Sequence, residues 1–172
     1  MALNQKGAAA PARVVALAAE RGLTIATAES LTAGMVAAVL AEVPGASAVL
    51  RGGVVSYHRE LKESLLGVDA GLLARVGAVD PAVALQMALG ARAACGADIG
   101  VATTGVAGPE PHEGKEVGTV VVAVTSGESR IVREFRFEGN RARIRKASCE
   151  AAVNMLTEVL EREPLGTNGV PQ

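Results

Sequence analysis

Short β-rich runs alternate with segments of helical period along this chain, and glycine or proline stands at most of the changes of period. A chain so patterned buries a sheet between helices, because its strands are apolar on both faces and its helices along one stripe only. Pro11 to Glu20 repeat apolar residues at helical spacing and stop at Gly22, Leu23 to Ala28 reads as a short buried strand, and Leu31 to Val43 as a helix ended by Pro44 and Gly45. Ala48 to Tyr57 is a β-rich run interrupted by Gly52 and Gly53, and His58 to Leu66 resumes helical spacing as far as Gly67. Asp80 and Pro81 form an N-cap and first-turn pair for a helix reaching about Cys95, followed by a strand over Ile99 to Thr104. A loop rich in Gly, Pro and charge, Gly105 to Glu116, leads into a hairpin, Val117 to Thr125 and Ser129 to Phe137, turning at Ser126, Gly127 and Glu128. The last helix opens near Asn140 and carries Ile144, Ser148, Ala151, Met155 and Val159 on one stripe. This order predicts the α/β class: one three-layer α/β/α sandwich with a mixed sheet over residues 10–162, with disordered tails at 1–9 and 163–172.

The 172 residues suffice for one hydrophobic core, and with no Trp, one Tyr and two Phe that core has to be built from Ala, Val and Leu. A net charge of -1 gives no basic field for phosphate backbones, and so few rings leave little for bases to stack on, so no nucleic-acid partner is expected. No window reaches the ~18 apolar residues of a membrane span and the N-terminus lacks a signal-peptide pattern, so a cytoplasmic protein with no membrane partner is expected. Cys95 and Cys149 sit in helical patterns without metal-ligand spacing and read as small core residues.

Three segments place hydroxyl or amine side chains at the ends of expected strands, the edge at which open α/β sheets bind ligands: Ala28 to Gly34, Tyr57 to Lys62, and Thr103 to Pro109. Ser30 is either an N-cap or a nucleophile at a helix N-terminus whose N–H groups face an anion. No Gly-x-Ser-x-Gly elbow and no Ser-x-x-Lys motif surrounds it. A serine needs a base, and His58 and His112, the only histidines, read as solvated surface residues. Lys62 supplies a base if burial lowers its pKa from ~10.4, and is otherwise a solvated helix lysine; Leu65 and Leu66 nearby favour partial burial. Gly105 and Gly108 let the backbone approach a ligand, or simply connect strand to loop, without making a Walker loop or a Rossmann fingerprint. Glu110, Glu113 and Glu116 lack a defined metal-ligand spacing and read as solvated.

In this order, Ala28-Glu29-Ser30, Tyr57-x4-Lys62 and Thr104-Gly105-Val106-Ala107-Gly108-Pro109 resemble the C-terminal domain of the CinA competence-damage family, and the resemblance runs from roughly Val14 to Leu160. It implies hydrolysis of the carboxamide of nicotinamide mononucleotide to nicotinic acid mononucleotide and ammonia, with no cofactor and no metal. Ser30 then corresponds to the nucleophile, Lys62 to its base and Thr104 to a third catalytic hydroxyl. Tyr57, Gly105, Ala107, Gly108 and Arg141 fall at substrate-binding positions, with Arg141 and the glycine loop facing the phosphate. A homo-oligomer is implied as well. Two departures stand out: Leu31-Thr32-Ala33-Gly34 replaces the family's Cys-Thr-Gly-Gly, with Ala33 expected to narrow the pocket. Glu110-Pro111-His112-Glu113-Gly114 replaces a Gly-rich stretch, a stiffer and more acidic loop expected to weaken binding of a phosphorylated substrate. A nucleotide-binding module without turnover, and an amidase for another small amide, are the alternative readings.

Overall fold

The sheet has the order β2-β1-β3-β4-β5. In the computed structural model, which describes residues 5–127 and 129–162 (the backbone alone for 5–8), the elements are α1 Gln5–Arg21, β1 Ile25–Glu29, α2 Met35–Ala41, β2 Leu50–Val55, α3 Arg59–Leu66, α4 Ala70–Val76, α5 Pro81–Cys95, β3 Ile99–Gly105, β4 Thr119–Thr125, β5 Arg130–Arg136 and α6 Arg141–Arg162. β1 lies parallel between β2 and β3, and β4 and β5 extend the sheet antiparallel, so the sheet is mixed as expected.

Period-2 alternation divides the core into two layers. Val120, Val122 and Val124 of β4 face one side with Ile25, Ile99 and Val101, and meet Val14, Leu17, Leu40, Met155, Leu156 and Leu160 of α1, α2 and α6. Val121 and Ala123 face the other with Ala26, Ala28 and Ala102, under Val83, Met87 and Ala91 of α5 and Leu66 and Leu73 of α3 and α4. That second layer is made of alanines for a steric reason: α5 rides so close to the sheet that a Cβ on Gly100 would stand 2.0 Å from the Ala88 carbonyl oxygen. The same closeness fixes α3. A Cβ on Gly90 in α5 would lie 2.0 Å from the carbonyl oxygen of Leu66, the last residue of α3, with backbone rather than a flexible side chain in the way. Gly90→Ala is therefore expected to force α3 off α5 and to cost about 2 kcal/mol or more, as overpacking does, which a urea titration would read as a lowered midpoint at constant slope.

Asp80 caps α5 through the Ala82 N–H at 2.8 Å, and the stripe from Ile144 to Val159 is buried, both as expected. The expected turn joins β4 to β5, with the Ser126 N–H on the Ser129 carbonyl at 2.8 Å; Glu128 lies outside the described residues. Four features differ. Helix α1 begins at Gln5 and runs through Pro11, so residues 5–9 are helical, while residues 1–4 and 163–172 lie outside the described residues. α4 was not expected; it is a single short segment capped by Asp69, which accepts from the Leu72 N–H at 2.6 Å. Helix α2 starts at Met35 rather than Leu31, for a reason that belongs to the site. Cys149 is buried, which pushes its thiol up to about 12, but Cys95 is only half-buried. No described helix is long and apolar enough to cross a membrane.

Candidate active site

The three parallel strands end at one edge of the sheet, and the chain leaves β1 and β3 there in different directions, the switch point at which such sheets open a crevice. Ser30 follows β1, Tyr57 follows β2, and Thr104 and Gly105 close β3. They line a cavity of about 600 Å³ together with Lys62 of α3, Gly108, Pro109 and the following loop, and Arg141 of α6.

Burial of a single carboxylate shapes the turn that presents Ser30. Glu29, 1% exposed, accepts hydrogen bonds from the N–H groups of Gly34, Val36 and Ala37 at 2.9, 3.1 and 2.9 Å, the first donors of α2. It also accepts from the Thr32 hydroxyl at 2.6 Å; having spent its one proton there, Thr32 is the acceptor of the Thr103 hydroxyl at 2.7 Å. Residues 31–34 are used up in turns that bring α2 back onto Glu29, and so α2 starts four residues later than its periodicity indicates. Gly34 is the N-cap, not Ser30, and the helix N-terminus expected to face a ligand anion is filled by Glu29. Ala33 is exposed, with a left-handed φ of 50°, and is not among the cavity's lining residues, so it does not narrow the pocket. From α6, Arg145 donates to the Leu31 and Thr32 carbonyls at 2.8 and 3.1 Å, bracing the turn from behind.

Freed from capping, the Ser30 Oγ accepts a hydrogen bond from the Lys62 Nζ at 3.2 Å, across 32 positions of sequence. Lys62 is 1% exposed and also donates to the Ser56 carbonyl at 2.6 Å. Burial lowers its amine to about 8, against the opposing pull of the Glu113 carboxylate. The lysine is thus neither solvated nor held in a tight ion pair; Leu65, expected to shelter it, is exposed and Leu66 is buried. His58 and His112 are exposed at the cavity mouth.

Thr104 is buried and donates its hydroxyl proton to the Ala78 carbonyl at 2.7 Å. Arg141 donates to the Gly108 carbonyl at 2.8 Å and to the Tyr57 hydroxyl, joining α6, the glycine loop and the end of β2 around the cavity. Gly105 packs against the Thr119 carbonyl too closely for any Cβ, and the Ala107 methyl belongs to the core, so both present backbone to the cavity. Among the described residues, no three His, Cys, Asp or Glu side chains come together as a metal site would require.

Three residues carry roles the sequence reading had not assigned. Glu29 sits inside the Ala-Glu-Ser motif, and Arg145 lies one helical turn beyond Arg141; both spacings were visible. Glu113 is exposed, in keeping with its reading as solvated, but its carboxylate also accepts from the Ala78 N–H at 2.5 Å and pairs with Arg59 at 3.5 Å.

Residues 8–160 match the family model described as the CinA C-terminal domain. The chain is 46% identical over 151 residues to a CinA-like protein of Frankia casuarinae and 50% identical over 141 residues to one of Mycolicibacterium vanbaalenii, matches that cover 88% and 81% of this chain. It spans about a third of the length of those curated relatives, 35% and 33%. Among solved structures, the competence/damage inducible protein CihA from Agrobacterium tumefaciens superposes with a TM-score of 0.88 at 36% identity, covering 94% of this chain and 100% of that one. The competence damage-inducible protein A from Klebsiella pneumoniae does so with a TM-score of 0.88 at 33% identity, over 92% of this chain and 99% of that one.

Proposed function

This chain belongs to the CinA C-terminal domain family, and on that premise we propose that it is an amidohydrolase that deamidates nicotinamide mononucleotide by a Ser-Lys mechanism. The observation that carries the reading is the Lys62 amine, buried, lowered to about 8 and 3.2 Å from the Ser30 hydroxyl at the floor of an open cavity. A buried amine of that basicity is free for part of the time near neutral pH, which an ordinary lysine is not.

In this reading the Ser30 Oγ attacks the carboxamide carbon while the Lys62 Nζ takes the hydroxyl proton. The carbonyl π electrons move onto oxygen. In the present geometry the Thr104 proton points at Ala78 and the Val106 N–H is bonded to the Thr119 carbonyl, so the oxyanion is steadied by the backbone N–H groups of Ala107 and Gly108 and by the ammonium just formed on Lys62, with Thr104 holding the Ala78 wall in place. When the tetrahedral centre collapses the C–N bond breaks and Lys62 returns the proton to the leaving nitrogen, releasing ammonia. Water, deprotonated by the same amine, then cleaves the acyl-Ser30 ester to nicotinic acid mononucleotide. Arg141 and the glycine loop lie where they can take the phosphate, and no metal or cofactor enters any step.

The test is ammonia release from nicotinamide mononucleotide by the purified chain with no metal added, beside nicotinamide riboside, nicotinamide and unrelated small amides. Turnover that is fastest on the mononucleotide is expected. Cleavage of another amide in preference would overturn the substrate, and mononucleotide binding without ammonia release would overturn the enzyme in favour of a binding module.

A further inference from the structure

Glu113 is the one acidic side chain of the 110–116 loop that is hydrogen-bonded into the cavity wall. Its backbone is left-handed, φ 47°, and Gly114 after it has φ 73°, a turn at which the exposed Glu113 reaches back to the Gly77–Ala78 segment. One carboxylate oxygen accepts from the Ala78 N–H at 2.5 Å and the other pairs with Arg59 at 3.5 Å. The seat is built for it, since a Cβ on Gly77 would stand 2.5 Å from the same oxygen. Ala78 in turn accepts the Thr104 hydroxyl through its carbonyl, so one peptide segment is held by Glu113 from the loop and by Thr104 from β3.

We propose that Glu113 is a positioning residue for the Ser30–Lys62 pair: clamped to the Gly77–Ala78 turn and Arg59, its carboxylate fixes the 110–116 loop as a wall of the cavity and holds a negative charge toward the Lys62 amine. This rests on the Ser-Lys reading above. The remaining charged or titratable groups around that cavity are Tyr57, His58 and Arg59 at the start of α3, Glu110 and His112 on the loop, and Arg141 on α6. Glu29 of β1 has its carboxylate turned into the start of α2, and Asp80 is engaged in capping α5. Glu113 lines the same cavity as Lys62, and its negative charge favours the protonated amine. Burial is the larger influence on Lys62 and Glu113 opposes it, so the loop carboxylate adjusts how alkaline the medium must be before Lys62 works as a base without touching substrate.

The measurement is a titration of Lys62 by NMR in wild type and Glu113→Gln, with 13C-labelled lysine. Only Lys6, Lys62, Lys115 and Lys146 contribute, and Lys62→Arg assigns the resonance. Loss of the negative charge is expected to move the Lys62 titration down by about half a pH unit or more, raising the free-amine fraction near pH 7 about threefold. The acid limb for labelling of Ser30 by a serine-directed fluorophosphonate is expected to shift with it, whereas loss of a merely structural contact would slow labelling at every pH and leave the limb in place. Glu113→Ala, which removes the carboxylate altogether, is expected to displace both in the same direction and serves if Glu113→Gln folds poorly. Unchanged Lys62 titration in folded Glu113→Gln overturns the proposal. Neither readout uses nicotinamide mononucleotide, so a wrong substrate leaves the outcome intact, and a protein whose Ser30 labels at no pH overturns the Ser-Lys reading instead.

Discussion

Ser30→Ala is expected to lose ammonia release from nicotinamide mononucleotide by at least ~10^3-fold while melting within about 2 °C of the wild type. On the proposed mechanism, the activity loss follows from removing the atom that would form the acyl bond. Stability should hardly move because the hydroxyl caps nothing: Gly34 is the N-cap of α2, the turn is anchored by Glu29 and braced by Arg145, and the Ser30 N–H on the Thr103 carbonyl is backbone. Had Ser30 been the helix cap its composition suggests, the same substitution would cost about 1 kcal/mol and leave chemistry alone. Steady-state turnover and a thermal melt on one sample separate the two, and substantial retained turnover would remove Ser30 as nucleophile.

Lys62→Met is expected to abolish turnover to a similar degree and yet to stabilise the fold at neutral pH. An amine whose pKa falls from 10.5 to about 8 on folding is penalised when charged, and the penalty is fully present below about pH 8, where both folded and unfolded chains hold the proton. As pH rises from about 8 to 10.5 the folded chain has released it and the unfolded chain has not, so the wild type regains stability over that window. The gap corresponds to about 3 kcal/mol, of which the loss of the donor to the Ser56 carbonyl returns about 1 kcal/mol. Urea titrations at pH 6.5 and pH 10 should show the variant more stable at the lower pH and the advantage shrinking at the higher. A variant less stable than wild type by the same amount at both pH values would mean that Lys62 is held as a well-compensated ion and is no base.

Local patterns account for most of what was legible beforehand. The strands, the hairpin and the helices with strong caps follow from period, from Asp80 with Pro81, and from Gly22, Gly67 and Gly96, all of which act within a few residues. α4 was missed because seven residues carry too few turns for a period to stand out, and α2 began late because its first donors bind a carboxylate further back in the chain, on β1. The site was legible in part: Ser30, Lys62, Thr104, Tyr57, Gly105, Ala107, Gly108 and Arg141 do line one cavity. The contacts of Glu113 were not, since a glutamate in a polar loop looks the same whether it faces water alone or also accepts from a backbone amide far along the chain.

By itself the sequence determined the α/β alternation, the small aliphatic core and the set of side chains able to do chemistry, because periodicity, turn formers and residue type are local properties. Only the tertiary structure decided which of those side chains come together. The burial that lowers Lys62, its approach to Ser30, and the bond that ties Glu113 to Ala78 all depend on where α3, β1 and the 110–116 loop converge, and desolvation and Coulomb fields are set by that distance in space rather than by separation along the chain.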